Sequence, residues 1–593
     1  MEILLRLIFI PIAAAILCFI FKRAAAYIAL ATSAGILYYA GTLFYYHTLS
    51  PLFIDFSSAT LSSGIFLAVA AFTFLIVLYS LKFMQGKERL GEYYAYVLIT
   101  LSASAGVLFA ADFLTLLFFW GIIGVTLYML IGIGGAGATD AAKKSFLIVG
   151  GSDVLMVLGV ALIWVMTKSL QIGFVQIPLD EPLSIAAFAC LAIGAFAKAG
   201  VMPFHSWIPG SAKEAPVPVM AFLPASLDKL LGIYLLTKLC VDVFSIDPGS
   251  SASNILMAIG AITIICAVMG ALVQHNMKKL LSFHAVSQVG YMVMGIGTGL
   301  PIGVAGAVFH MLNHAIYKSC LFLCAGGVEQ KCGTTEIENL GGLAKKMPIT
   351  FAAFLIAALS ISGIPPLNGF VSKWMIYQSL IDTSRINPYW ILWLAAALFG
   401  SALTLASFVK LIHAVFLGQK GSATEKASEV SWQMAVPVAA LASLCLIFGI
   451  FAYTLPIKQF IIPSIEEFYY SGIWQPALAT GMILAGLFAG GIVYMFFGVF
   501  SRSKRPVFIG GEDLTEEETK VAGKDFYNTI KGWGPMQFIF DISEKKIFDL
   551  YEVLSRITFA LYRFFGLLQN GLLHTYLAWM LIGSIVLVYV FMR

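Results

Sequence analysis

Long apolar stretches alternate with short polar ones along the whole chain. About 20 consecutive apolar residues cross the hydrocarbon core of a bilayer. By that measure the pattern predicts helices at 1–21, 26–46, 60–81, 94–110, 112–134, 145–167, 183–204, 217–240, 253–275, 280–299, 302–326, 349–381 (interrupted), 389–417, 432–455, 475–500 and 572–592. The first stretch opens on Met1-Glu2 without a basic leading segment and ends at Lys22-Arg23 without a small-residue cleavage motif. It therefore reads as a retained helix rather than a signal peptide.

Two runs are broken by proline and glycine, one at Val201-Met202-Pro203 and one at Gly363-Ile364-Pro365-Pro366-Leu367-Asn368-Gly369. Interrupted helices at corresponding places in two halves mark ion sites in transporters. The halves here are 94–240 and 253–417, each with a lysine beside its break, Lys198 and Lys373. Residues 1–93 hold three leading helices, 418–500 two more, 501–540 a cytoplasmic loop and 571–593 the final crossing. The segment 541–570 has a different period: Ile547, Leu550, Leu554, Ile557, Leu561 and Leu568 recur at helical steps, with Asp549, Glu552, Arg556 and Arg563 opposite. Too charged to span, it predicts an amphipathic helix of about 30 residues, some 45 Å long, lying along the membrane or neighbouring subunits. An ordinary interfacial anchor is the alternative.

Composition agrees with the pattern. Of 593 residues, 60% are hydrophobic and only 11% charged, and mean hydropathy is +0.91. Soluble domains carry roughly 25% charged residues, so a soluble enzyme is excluded. A dispersed net charge of +5 excludes nucleic acid as a partner. The eight cysteines show no Cys-x-x-Cys ligand spacing. Lysines and arginines, among them Lys22, Lys87, Lys143, Lys144, Lys278, Lys279, Lys345, Lys420 and Arg502, fall in loops after odd-numbered helices. Cytoplasmic loops retain such residues, which places the N-terminus outside.

Ionisable groups within the apolar spans carry the functional information, because each costs roughly 2.5–3.5 kcal/mol at a helix centre. They are Asp112, Asp153, Lys198, His205, Asp228, Lys229, His284, His310, His314, Lys318, Lys373, Lys410 and His413. Asp112, Lys410 and His413 lie near helix ends and have a snorkelling alternative. His310, His314 and Lys318 step by four along one helix face. An imidazole changes charge near neutral pH and a desolvated lysine can release its proton, so the row suits a proton relay. A metal pair and plain packing hydrogen bonds are the alternatives; position 311 is methionine, so the glutamate of a His-Glu-x-x-His zinc motif is missing. Moving one charge against roughly 180 mV requires about 4 kcal/mol, and an ion pair at about 4 Å in a medium of effective dielectric near 20 is worth the same. Making and breaking one salt bridge beside a buried lysine can therefore load and unload a proton.

The run 194–209, which contains Ala197-Lys198-Ala199-Gly200-Val201-Met202-Pro203-Phe204-His205, followed by Ala215-Pro216-Val217-Pro218-Val219, resembles the antiporter-like subunits of respiratory complex I, energy-converting membrane hydrogenases and multisubunit cation/proton antiporters. The stretches 278–291 and 309–318, Leu340-Gly341-Gly342-Leu343 and Gly369-Phe370-Val371-Ser372-Lys373 resemble the same family in the same order. The resemblance implies an all-α polytopic fold of about 16 transmembrane helices with two inverted five-helix repeats. It also implies that the amphipathic segment is the lateral helix of the largest subunits. Lys198 would be the first-repeat lysine, His310, His314 and Lys318 the second-repeat relay, Lys373 the terminal lysine, and Asp153 an acid of the sixth helix. His205, His284, Asp228 and Lys229 complete the candidate set. The family's glutamate after the fifth-helix tryptophan is missing, since Trp120 is followed by Gly121. Asp228 is the candidate replacement; an uncoupled first half-channel, or an Asp228–Lys229 pair near a helix end, are the other readings.

These features predict a proton-translocating subunit, with Na⁺ coupling as the alternative, of a redox-driven pump in the cytoplasmic membrane of a prokaryote, of energy-converting hydrogenase or complex I type. The chain itself has no flavin, nickel or iron–sulfur motif. Iron–sulfur clusters with a nickel–iron centre or flavin are expected in partner subunits, alongside further antiporter-like subunits and peripheral electron-transfer subunits. An antiporter without redox partner and a polytopic scaffold are the competing classes.

Overall fold

The computed structural model of the chain describes residues 2–49, 56–465, 549–569 and 571–592, with isolated positions between 481 and 537. Among these the backbone is helical, with two isolated antiparallel bridges and no strand. Met1–Trp533 forms one unit and Gly534–Arg593 another. In the first unit, α1 (Glu2–Ile20), α2 (Ala25–Leu49) and α3 (Phe56–Phe83) lead into α4 (Leu90–Leu108), α5 (Phe113–Ile131), α6 (Ala138–Thr167), α7 (Pro182–Ala199), the short α8 (Trp207–Ser211) and α9 (Val217–Val243). Then follow α10 (Ser251–Leu272), α11 (Met277–Gly297), α12 (Pro301–Cys332), α13 (Pro348–Ser362), α14 (Asn368–Asp382), α15 (Trp390–Leu417) and α16 (Trp432–Ile450). Among the described residues 12 helices are long and apolar enough to cross a membrane. The expected crossing at 475–500 and the loop 501–540 lie outside the described residues apart from single positions.

The two halves repeat the same local devices. Asp112 caps α5 by accepting from Thr115 N–H at 2.8 Å, and Asn276 caps α11 by accepting from Lys279 N–H at 3.2 Å. Asp112 also bridges Gln171, as Asn276 bridges Glu336. Helices α7 and α13 both start on proline and end on a glycine in the left-handed region, Gly200 at φ 79° and Gly363 at φ 80°. Only glycine adopts that conformation without a Cβ clash. A cis X–Pro bond follows each, at Met202–Pro203 and Pro365–Pro366. Corresponding positions are about 164 residues apart (112 and 276, 171 and 336, 200 and 363). Each set contains five crossings if a broken helix counts once, and an odd number reverses the second set relative to the first.

Helices α9, α11 and α12 are buried on nearly every side, whereas α5, α6 and α15 turn Leu114, Phe118, Val154, Val157, Ile391 and Phe399 outward. Glycines set the closest contacts: a Cβ at Gly290 of α11 would lie 2.6 Å from the Gly260 carbonyl of α10. Backbones meeting through small residues is the packing mode of helices without a water-driven core.

Several helices begin or end away from the apolar runs. Helix α6 starts at Ala138 rather than 145, taking Asp140, Lys143 and Lys144 into its first turns, and α11 includes Lys278 and Lys279. These four lysines are helical, not loop, and Lys278 is buried, donating to Glu329 Oε1 and the Lys213 carbonyl, both at 3.1 Å. The run expected to reach 204 ends as α7 at Ala199.

A loop carboxylate anchors the start of α13. Glu429 accepts from the Ile349 and Thr350 N–H groups at 2.7 and 3.3 Å and from Thr350 Oγ1 at 2.6 Å. These are orphan donors of a helix N-terminus, where a negative charge is also favoured. Glu429→Ala is expected to lower stability by about 1–2 kcal/mol, read as a lower melting temperature in detergent at unchanged subunit composition.

In the second unit, α17 (Leu550–Leu568) is capped by Asp549, which accepts from Tyr551 N–H at 3.1 Å. Its 19 residues make a rod of about 28 Å with the two-faced pattern expected for 541–570; residues 541–548 lie outside the described set. Gly571, at φ 76°, turns the chain into α18 (Leu573–Phe591).

Candidate functional site

Breaking a helix leaves carbonyls at its C-terminus without helical donors, and at both breaks a buried lysine supplies one. Lys229, on α9, donates to the Ala199 carbonyl at the end of α7. Lys373, on α14, donates to the Ile361 carbonyl at the end of α13 at 2.9 Å and to Ser401 Oγ at 3.2 Å. Cations at a helix C-terminus also meet the negative end of its dipole. The lysine serving the first break is thus Lys229 rather than its sequence neighbour Lys198.

Lys198 points the other way. Its Nζ donates to the Trp120 carbonyl at 3.1 Å and lies 4.3 Å from the centre of the Trp120 ring. The Trp120 indole N–H donates to Asp153 Oδ1 at 2.9 Å, so Trp120 joins Lys198 to the acid on α6. Beside it, the Cβ position of Gly121 opens on empty space. No charge stands there, as the sequence implies.

Asp228 and Lys229 lie in the middle of α9, directly after a π-helical turn at Leu223–Leu227, and not near a helix end. Both are fully buried. Neither carboxylate oxygen of Asp228 has a hydrogen-bond partner.

The second half gathers the histidines. His310 Nδ1 is 2.9 Å from Ser372 Oγ, and its Nε2 is 3.3 Å from the Tyr317 hydroxyl. His314 has no hydrogen bond on either ring nitrogen and meets Tyr317 edge-on, with centroids 5.6 Å apart. Lys318 Nζ donates to the Leu281 carbonyl at 2.7 Å, and His284 Nε2 is 2.8 Å from Ser407 Oγ. The Tyr291 ring lies 4.7 Å from Lys373 Nζ, and its hydroxyl shares Ser401 with Tyr377 at 2.8 and 2.6 Å. One face of α12 therefore carries three groups with three different sets of partners. Among the described residues no three His, Cys, Asp or Glu side chains gather as a metal site.

Charge links these groups into one series. Asp153 and Asp228 act on Lys198, and Lys198 and Lys229 act on Asp228. Lys229 acts on His314 and Lys318; Lys318 and Lys373 act on His284; Lys373 acts on His310. Nine of the ten candidate residues thus form one charged series, from the half-buried Asp153 to the fully buried Lys373. The tenth, His205, is buried in the turn between α7 and α8.

Of the groups near helix ends, Lys410 is buried and donates to the Leu272 and Gln274 carbonyls at 2.8 and 3.3 Å, so it does not snorkel. Asp112 is the cap of α5, and His413 is exposed. Sequence reasoning passed over the hydroxyls that contact the row: Ser372, Ser401, Ser407, Tyr291, Tyr317 and Tyr377. Their signal was a polar residue inside an apolar run, which small serines give only weakly.

Residues 110–404 match the family described as NADH:quinone oxidoreductase/Mrp antiporter, TM. A Na(+)/H(+) antiporter subunit A1 from Staphylococcus aureus (strain MRSA252) is 30% identical over 445 residues, covering 69% of this chain and 55% of the relative. The chain thus spans about half the length of the curated relatives it matches. A chain of the membrane-bound sulfane sulfur reductase, an archaeal respiratory membrane complex, superposes with a TM-score of 0.82 at 26% identity, covering 99% of this chain and 100% of that one. The Mrp complex of Dietzia sp. DQ12-45-1b gives 0.69 at 21% identity, over 78% of this chain and 97% of its counterpart. Respiratory complex I of Thermus thermophilus with bound NADH gives 0.66 at 19%, over 78% and 98%.

Proposed function

Because this chain belongs, through residues 110–404, to the NADH:quinone oxidoreductase/Mrp antiporter membrane family, we propose that it is the proton-translocating membrane subunit of a redox-driven pump. The observation that carries the redox reading is the end-to-end likeness to a respiratory complex, 99% of one chain against 100% of the other. In this reading the buried row is the ion path. Lys198, His205, Asp228, Lys229, His284, His310, His314, Lys318 and Lys373 hold and pass protons, with Asp153 at the outer end. The two lysines parked on helix-end carbonyls hold their charge by hydrogen bonds that can be exchanged for an ion pair of about 4 kcal/mol, enough to move one charge against roughly 180 mV. Partner subunits would carry the iron–sulfur clusters and the nickel–iron centre or flavin. The complex would lie in the cytoplasmic membrane of a prokaryote, with the basic loops inside and the N-terminus outside.

A second reading, a cation/proton antiporter without redox partner, is favoured by the 30% identity to antiporter subunit A1. Sealed vesicles carrying the intact complex separate the two. The redox reading expects electron transfer to drive protonophore-sensitive proton movement. Proton movement driven by a Na⁺ gradient and indifferent to electron donors would establish the antiporter instead.

A further inference from the structure

At the end of α12 that the proposed orientation turns to the cytoplasm, Glu329 is placed as helix packing alone does not require. Its Oε1 accepts from Lys278 of α11 at 3.1 Å, and Lys278, itself buried, also donates to the Lys213 carbonyl. Its Oε2 is buried and has no hydrogen-bond partner, although the side chain as a whole is 33% exposed. A clamp between two helices would turn its spare oxygen to a donor or to water, because a buried acceptor without a partner costs free energy. Here one carboxylate meets the surface and keeps an open oxygen away from it. The charge also sits in the last turn of α12, at the negative end of the helix dipole. Lys278 offsets that charge while the helix end opposes it. A proton arriving at Oε2 removes the conflict and leaves Oε1 still accepting from Lys278.

The face of α12 that carries Glu329 leads back to the charged series. Lys318 lies 11 residues earlier, about three turns or 16 Å along the same face. Between them the Tyr79 hydroxyl of α3 donates to the Leu323 carbonyl at 2.7 Å. It fills the space that Gly326 leaves, where a Cβ would lie 2.6 Å from it. Across the seam, Lys318 reaches the Leu281 carbonyl of α11, one turn beyond Lys278. Tyr79 and Lys87, in the loop before α4, both feel the charge of Glu329. We infer that Glu329 is a point where protons enter from the cytoplasmic water, its Oε2 taking each one and passing it by way of the Tyr79 hydroxyl to Lys318. Each passage moves one proton. The Tyr79 oxygen accepts it and gives up its own, Lys318 takes it after yielding its previous proton to the series, and Glu329 returns to the carboxylate beside Lys278. This inference rests on the proton-translocation reading above and on its orientation.

The test is proton translocation by the intact complex in sealed vesicles with the cytoplasmic face outward, held at pH 8 or pH 6 on that face. Glu329→Gln keeps the shape and an oxygen for Lys278 but cannot take a proton. It is expected to lower translocation at least tenfold at pH 8 in a normally assembled complex, and the deficit should shrink at pH 6, where more abundant protons feed the seam directly. Tyr79→Phe is expected to give a deficit of the same pH dependence, and wild-type rates in it would overturn the route from Glu329 to Lys318. A Glu329→Gln deficit equal at both pH values assigns the residue to the fold and overturns the inference. Wild-type translocation in Glu329→Gln, with Lys318→Met inactive, does so too and leaves the proton-translocation reading standing. Wild-type rates in both variants overturn that reading as well. Should Glu329→Gln not assemble, Lys278→Gln/Glu329→Gln, in which two amides replace the ion pair, is measured in the same way. A deficit relieved at pH 6 then supports entry at Glu329, and wild-type rates or a deficit indifferent to pH contradict it.

Discussion

Replacing Lys318 by methionine is expected to bring redox-driven proton movement down to background while the complex still assembles. The side chain is fully buried, its ammonium donates to the Leu281 carbonyl, and it links Lys229 to His284 in the charged row. Methionine keeps the length and apolar stem and removes only the proton site. Leu281 lies inside α11, where the regular helical N–H still satisfies its carbonyl, so no orphan group is created. Burying a neutral thioether in place of an ammonium also lifts a desolvation cost. A relay step worth about 4 kcal/mol corresponds to about a thousandfold in rate, so residual movement should be indistinguishable from leak. Dye-reported proton uptake by vesicles, together with subunit analysis of the same preparation, checks both halves of the expectation. Wild-type uptake would remove Lys318 from the path.

Gly449→Val is expected to act through the fold instead, with loss of the assembled chain from membranes. Gly449 is the point where α16 rests on the backbone of the second break: an added Cβ would lie 2.1 Å from the Pro366 carbonyl and 2.7 Å from Asn368 N. Backbone atoms cannot step aside as a side-chain tip can. The break they belong to is held by Asn368, which accepts from Ser360 Oγ and donates to Asn313 Oδ1 at 2.9 Å, while Asn313 returns a bond to the Asn368 carbonyl at 3.0 Å. Pushing α16 away opens this network of buried polar groups, each of which costs about 1–3 kcal/mol when left unpaired. Gly449→Ala should already reduce the yield, and quantification of the membrane-inserted chain orders the three forms. Equal yields would show that α16 can shift freely at this point.

What the sequence made legible was whatever depends on composition over a turn or two of chain. The breaks at Pro203 and at Pro365–Pro366 could be read because proline and glycine interrupt any helix, and the burial of Lys198, Lys318 and Lys373 because apolar runs enclose them. Boundaries shifted where charged residues extend a helix beyond its apolar part, as Asp140, Lys143 and Lys144 do at the start of α6. The internal repeat is faint in residue identity and plain in backbone: Asp112 and Asn276 cap, Gly200 and Gly363 end, and none of these needs a matching neighbour to do so. Partner choice was not legible. Lys229 reaches a carbonyl 30 residues away and Lys318 one 37 residues away, distances set by how helices pack rather than by any local pattern. For the same reason the sequence could present Asp228 and Lys229 as a simple pair, whereas in the structure Lys229 donates to the Ala199 carbonyl and neither Asp228 oxygen has a hydrogen-bond partner.

The central claim, that this chain moves protons on behalf of a redox machine, is tested most directly by purifying the intact complex through this chain and measuring its subunits and metals. The account predicts peripheral subunits, iron and acid-labile sulfide in stoichiometric amounts, with nickel or flavin naming the type of complex. A preparation of membrane subunits alone, free of iron and flavin and still exchanging protons for cations, would contradict it.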